Sequence, residues 1–370
     1  MLSAGGELYL QRRYYWCKQQ CGCPADRLLG IDASGHVSAG ARQICCRLGL
    51  VQNFAAAAED VARIGGLRLC RERLRQLVER EAAAVTTLRG QSKLPATWSA
   101  NDQRLYVGVD GLLAPTVTHA EKRKRRRRHV ARRAARVRHG KGNIKPLPPL
   151  RKGTDQRYKE IKLGLYYDQD KQQRHAFVTS GNPRELGRLL RSQGSLINLS
   201  QATDKRSVTD AAAWILRQLT LCLPTLDGML IDFYHLGQHV YQAAELCLGG
   251  QTGQSWALEQ LRRVKAKGPQ PMLEAIAQLR KTVRSPAKRE ALRQLERYVS
   301  QHAEMMNYPE QIAAGRDIGS GPTEAMCKTL SMRLKGCGMR WDLEHAQDLM
   351  NLRAMYESGQ ADSYWQNHAA

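Results

Sequence analysis

Three acidic residues, far apart in the chain, sit in settings that suit chemistry at phosphorus. Asp110 follows the apolar run Leu105–Val109 in RLYVGVDG and precedes Gly111; Asp210 closes VTDAAAW; Glu324 opens the stretch after GSGPT in GSGPTEAMCKTLSMRLKGCGMRW. Two strand-end aspartates and a helix-borne glutamate supply the hard oxygen donors that Mg²⁺ requires. Two such ions can serve the attacking and the leaving oxygen of a phosphodiester displacement. Each residue also has a plain structural reading. Asp110 is a candidate Asp-Gly turn, Asp210 a candidate N-cap for AAAWIL, and Glu324 a carboxylate in the favourable field of a helix N-terminus.

Asp232 competes with Asp210, because MLIDFYH reads as a strand ending in aspartate with His235 three residues on. If that stretch is helical, the two side chains share a face, and a supporting role beside the metals is expected for both. Lys328, Arg333, Lys335 and Arg340, with Trp341 closing the segment, follow Glu324 as an expected phosphate-binding face. Residues 121–145 contain 13 Lys or Arg, among them Arg125, Arg126, Arg127, Arg128, Arg132 and Arg133. This run is expected to be a DNA-clamping loop or basic arm that becomes helical on the duplex, with binding that weakens steeply as salt rises. Cys17, Cys21 and Cys23 are candidate zinc ligands, although a complete site needs four soft donors.

The chain has 370 residues, with 58 Lys+Arg against 34 Asp+Glu and a formal charge of +24. Such an excess points to a polyanionic partner. Nucleic acid suits it better than a membrane, since no run reaches eighteen apolar residues and the first residues lack a signal-peptide core. Ten cysteines without framework spacing imply free thiols in a reducing compartment, and hence a cytoplasmic protein.

The elements that must position these residues follow from periodicity. Residues 38–83 carry apolar positions at three- and four-residue steps, broken by Gly65-Gly66, which reads as a helix-turn-helix or an ordinary helical hairpin. Residues 84–103 read as a polar linker. RLYVGVDGLLAPTV reads as a central strand, RYKEIKLGLYYDQ and RHAFVTS as a hairpin, and the segments around Asp210 and Asp232 as strand, helix, strand, helix. This order implies a mixed sheet with helices against it. Residues 252–305 are charged and helical throughout.

These pieces together, RRYYWC, YVGVDG, RYKEIKLG, VTDAAAWI, LIDFYHLGQHV, GSGPTEAMCKTLSMRLKGCGMRW and AQDLMNLRAMYESG, resemble a bacterial insertion-sequence transposase of the DDE type. The Kra-type branch, distantly Mutator-like, is the best fit. The resemblance implies an α/β, RNase H-like mixed sheet flanked by helices, with an all-helical insertion and an N-terminal helical domain. It implies a partial ribbon-like segment at 1–37 and a helical, DNA-binding region at 38–98. The first part of the core would then span 99–245 with a basic loop at 121–145, the insertion 246–312, the last core helices 313–358 and a tail 359–370. By the same resemblance Asp110, Asp210 and Glu324 match the metal-binding residues for Mg²⁺, with Mn²⁺ as a substitute. Asp232 and His235 match the Asp/Cys-x-x-His pair of Mutator-like relatives.

The implied activity is metal-dependent cleavage at element ends followed by strand transfer. Its partners would be double-stranded DNA with terminal inverted repeats, target DNA and a second copy of the chain. Two readings stand beside it: a transposase-derived nucleic-acid-binding protein without cleavage activity, and a structure-selective nuclease on the same fold. The chain departs from the family at Ala211, where a glycine is usual, which is expected to reduce turn flexibility and keep the ligand. It also departs ahead of RRYYWC, where relatives carry more chain with a cysteine pair, as expected of a shortened or degenerate copy, a departure that bears on end recognition rather than on cleavage chemistry.

Overall fold

The computed structural model describes residues 1–11, 13–16, 21–28, 37–140 and 146–367. A two-strand hairpin, β1 (Leu2–Ser3) with β2 (Gly6–Glu7), and one turn of helix, α1 (Ala25–Leu28), precede α2 (Ala39–Val51), α3 (Phe54–Gly65) and α4 (Arg71–Gly90). The helical pattern breaks twice. Asn53 caps α3, its Oδ1 accepting the Ala55 and Ala56 N–H groups at 3.0 Å each, and Gly66 ends that helix with φ 63°. The polar linker expected from residue 84 begins only after Gly90. Leu74, Leu77, Val78, Ala82 and Val85 hold one buried stripe through it, and tertiary burial extends the helix. The buried faces of α2–α4 belong to the same hydrophobic core as the sheet, so the candidate helix-turn-helix is packed onto the rest of the chain.

The central strand β3 (Arg104–Pro115) leads to α5 (His119–Arg138), and the hairpin β4 (Tyr158–Asp168) and β5 (Arg174–Thr179) to α6 (Pro183–Leu196). Then come β6 (Asp204–Thr209), α7 (Ala213–Cys222), β7 (Gly228–Ile231) and α8 (Phe233–Cys247). A helical stretch follows, α9 (Gly250–Lys267), α10 (Gln270–Thr282), α11 (Pro286–Gln301) and α12 (Tyr308–Ala313), before α13 (Gly321–Ser331), α14 (Leu343–Glu357) and α15 (Ala361–Asn367). The five main strands form one sheet in the order β5-β4-β3-β6-β7. β3 runs antiparallel to β4 and parallel to β6, and β6 runs parallel to β7. With helices on both faces and a helical stretch ahead of α13, this is the RNase H-like mixed sheet that the resemblance implies.

Alternation along β3 divides its side chains between two cores. Leu105, Val107 and Val109 meet Leu186 and Leu190 of α6 and Ile215 and Leu219 of α7 on one face. Tyr106, Leu112 and Ala114 join the core of α13 and α14 on the other. Asp110 has the parity of the second set.

The basic loop expected at 121–145 is helical from its start. Thr118 and Glu121 form a reciprocal capping box. Lys122 Nζ reaches Asp342 Oδ1 at 2.7 Å and Arg340 pairs with Glu121 at 3.0 Å, tying the first turn of α5 to the body. No residue of α5 is buried, so the cap, the ion pairs and the alanines hold it without a core. Residues 141–145 lie outside the described residues. Among the described residues no helix is long and apolar enough to cross a membrane.

Candidate active site at the carboxyl edge of the sheet

Strand register brings the aspartates into line. β3 and β6 pair from Arg104↔Asp204 to Val107↔Ser207; that register continued for three residues would bring Asp110 level with Asp210, and the charge of Asp210 acts on Asp110. β6 and β7 pair up to Thr209↔Ile231, which sets Asp210 level with Asp232. Asp210 and Asp232 thus follow the carboxyl ends of β6 and β7, the usual location of sites in such sheets, and Asp110 lies on β3 beyond its pairing with β6. Asp110 is not at a turn, as the Asp-Gly pair suggested. β4 pairs with β3 from Leu105↔Asp168 through to Pro115↔Tyr158, so Asp110 is strand-internal toward β4 and three residues past the last pair toward β6.

Helix α13 supplies the fourth carboxylate by lying directly on β3. A Cβ at Gly108 would run into the side chain of Thr323, so glycine is what lets the helix approach this closely. Two residues on, the Cys327 thiol donates to Asp110 Oδ2 at 3.2 Å while the Gly111 N–H donates to Oδ1 at 2.6 Å. Glu324 precedes Cys327 by three residues and so adjoins it on the helix surface. Glu324 itself is exposed.

The electrostatics agree with this proximity. Burial raises the Asp110 pKa. The thiol and the Gly111 N–H pull it back, while the charges of Asp210 and Glu160 push it up again. Burial drives the Cys327 thiol far up, assisted by Asp110 and by Glu324, with Lys335 opposing. The thiol is therefore neutral and can donate. Among the described residues no three His, Cys, Asp or Glu side chains are gathered as a metal cluster. Three of the oxygens needed, both of Asp110 and Oδ1 of Asp210, accept hydrogen bonds within the protein, and like-charged carboxylates repel. The donors are all carboxylate oxygens, a set that fits a hard ion such as Mg²⁺ or Mn²⁺ rather than a soft one.

Asp210 is not the N-cap of α7, the structural alternative to a metal-binding role. The N-cap is Ala212, whose N–H donates to Asp210 Oδ1 at 3.0 Å. The turn between them is made by Ala211 at φ 61°, a conformation that favours glycine. Ala211→Gly is expected to stabilise the protein by roughly 0.5–1 kcal/mol, the relief of the left-handed alanine less the entropy gained by the unfolded chain. A urea midpoint that stays put or falls would contradict this.

Asp232 holds the site's frame. Its Oδ1 accepts the Tyr234 and His235 N–H groups at 2.7 and 3.3 Å, capping α8. Its Oδ2 accepts the Ser320 N–H at 3.0 Å and the Ser320 hydroxyl. Ser320 is the N-cap of α13, so this buried carboxylate fixes the entry of the helix that carries Glu324. The Asp232 and His235 side chains do not pair. His235 Nε2 lies 3.2 Å from His239 Nε2, His239 stacks on Tyr298 at 4.3 Å, and burial, then His235 and His302, lower the His239 pKa.

The basic residues divide in two. Lys328 and Lys335 are exposed beside Glu324 and Cys327, and Arg125, Arg127, Arg128 and Arg132 are exposed along α5. Arg126 donates to the Pro148 carbonyl. Arg333 is put to a different use from the expected phosphate contact. Its side chain is buried, Nε donates to the Gly49 carbonyl at 2.8 Å, and the guanidinium lies 4.8 Å from the Phe54 ring and 5.0 Å from the Trp341 ring. Trp341 is buried too, donating from Nε1 to the Leu334 carbonyl at 3.2 Å and bridging to Thr116 beyond β3. Arg340 is engaged with Glu121. Of the zinc candidates, Cys17 lies outside the described residues, Cys21 is exposed and Cys23 half-buried.

Sequence reasoning missed Cys327, Glu160 and Tyr298. The first two sit inside quoted motifs, and Cys327 is signalled by its three-residue spacing from Glu324. Tyr298 of α11 carries no such signal. Its hydroxyl is buried with no hydrogen-bond partner among the described residues, and burial, then Asp210 and Asp232, raise its pKa.

No protein-family model matches the chain, and no curated protein matches it. Among solved structures, the Drosophila P element transposase strand transfer complex is similar over 92% of this chain and 84% of that chain, at 11% identity and a TM-score of 0.34. Overlap that loose says nothing of activity or partners.

Proposed function

We propose that the chain is a metal-dependent DNA transposase that cuts at the ends of its element and joins the released strand to target DNA. The observation that carries this reading is that Asp110 and Asp210 come from adjacent parallel strands and feel each other's charge, with the helix of Glu324 docked on β3 at Asp110. Asp110, Asp210 and Glu324 would hold Mg²⁺, with Mn²⁺ as a substitute. When bound, such ions activate the attacking oxygen and stabilise the leaving one. Cys327 orients Asp110 through its thiol, and Asp232 holds α13 at its N-terminus. Lys328 and Lys335 are placed to hold phosphates next to the carboxylates, and the exposed arginines of α5 to hold a duplex by its backbone. Pairing of two element ends calls for a dimer or larger assembly on DNA.

The test uses the full chain and duplexes carrying the inverted repeats that flank its coding sequence, against duplexes with those repeats scrambled. With Mg²⁺ or Mn²⁺, nicking at the repeat boundary and joined products are expected from the first substrate alone. Cutting of both substrates without joining would mark a nuclease instead. No cutting of either with either ion would leave a DNA-binding protein.

A further inference from the structure

On the face of the sheet opposite α13, helices α6 and α7 enclose a groove of about 920 Å³. Arg184, Arg188 and Arg191 line it from α6, and Trp214 and Arg217 from α7. The three arginines of α6 recur at the spacing of one helix face, as do Trp214 and Arg217. All four arginines are exposed. Arg188 has Glu185 at 3.7 Å; among the described residues Arg184, Arg191 and Arg217 have no ion pair. A solvated helix face would alternate its charges, whereas here cations from two helices converge on one concavity. The walls are fixed, because Gly187 lies so close to Gln218 and Cys222 that a Cβ there would collide with both.

A line of side chains runs from the groove toward the carboxylates. Trp214 follows Asp210 by four residues, and its ring has Lys162 Nζ at 5.6 Å. Lys162 pairs with Glu160 at 2.7 Å, and the charge of Glu160 is felt by Asp110.

We infer that this groove binds a single strand of nucleic acid leaving the carboxylates, with the arginines on its phosphates and Trp214 against a base. Guanidinium groups with an aromatic face among them are what an unpaired strand requires, since every base offers a π-face and the backbone a regular row of charge. A blunt duplex keeps its bases stacked inside and uses only the cations. The inference rests on the nucleic-acid reading above but not on cleavage.

The experiment measures fluorescence anisotropy of the full chain with labelled oligothymidine and, separately, a blunt duplex, across a salt series. Trp214→Ala is expected to weaken oligothymidine binding by about tenfold, with Trp214→Phe recovering part of the loss. The combined Arg184→Gln, Arg191→Gln and Arg217→Gln variant changes only exposed residues and does not depend on how Trp214→Ala folds. It is expected to reduce the slope of log K against log salt by about two for the single strand. Duplex affinity is expected to fall several-fold less. Oligothymidine binding within twofold of the parent in both variants would overturn the inference, as would equal losses for single strand and duplex. Cutting of element ends, assayed in parallel, keeps the two readings apart. An active parent with unchanged variants sinks the groove alone, and an inactive parent with the expected binding losses sinks catalysis alone.

Discussion

Asp110→Asn and Glu324→Gln are each expected to lower strand cleavage by on the order of a thousandfold or more, with duplex binding held within about twofold. Both changes keep side-chain shape and remove one anionic donor from a set that works as a unit. The stability of Asp110→Asn gives a second check. Burial, with Asp210 and Glu160, raises the Asp110 pKa above its ordinary value. A group whose folded pKa is raised disfavours the folded state once ionised. Its penalty is absent below the unfolded pKa and grows as pH rises through the interval up to the folded one. In chelator, Asp110→Asn should therefore melt at the parent's temperature in acid and at or above it near neutral pH. Cleavage undiminished in both variants would remove the assignment; lost cleavage with a much lower melting temperature would assign Asp110 to folding instead.

Arg333→Ala is expected to destabilise the protein by roughly 3 kcal/mol, the combined loss of a buried charge-assisted hydrogen bond and of packing against two aromatic rings. Its guanidinium joins Gly49 in α2 to Phe54 and to Trp341, so the change loosens the N-terminal helices from the turn after α13. DNA affinity, measured well below the melting temperature, is expected to stay near that of the parent. Lys328→Ala with Lys335→Ala should do the reverse. Both residues are exposed, so stability should move by less than about 0.5 kcal/mol. The slope of log K against log salt should fall by about one for each phosphate left without its lysine. Urea unfolding and a salt series on the same preparations separate the two effects. A stable Arg333→Ala protein with weakened DNA binding would restore Arg333 to the phosphate-binding face.

Local pattern was enough for the strands and most helices, because alternation in LYVGVDG and RYKEIKLG, and capping residues such as Asn53 and Thr118, act within a few residues. It failed where distant burial decides. α4 runs on to Gly90 because its stripe meets the common core, and Asp110 stays inside a strand because β4 pairs along its whole length.

Residue type and order alone identified Asp110, Asp210 and Glu324 as the carboxylates to watch, and the +24 charge as a sign of a polyanionic partner. Tertiary structure decided what each one touches. Neighbouring parallel strands carry Asp110, Asp210 and Asp232 toward one side of the sheet, yet only the packing of α13 shows that Asp232 is engaged by α8 and Ser320. Likewise Arg333 and Lys335 are both cations on one basic stretch, and nothing in their types separates them. Burial does, because a cation shut between rings holds the fold while one in water is left to meet a phosphate. That difference arises from packing among segments hundreds of residues apart, which spacing along the chain does not encode.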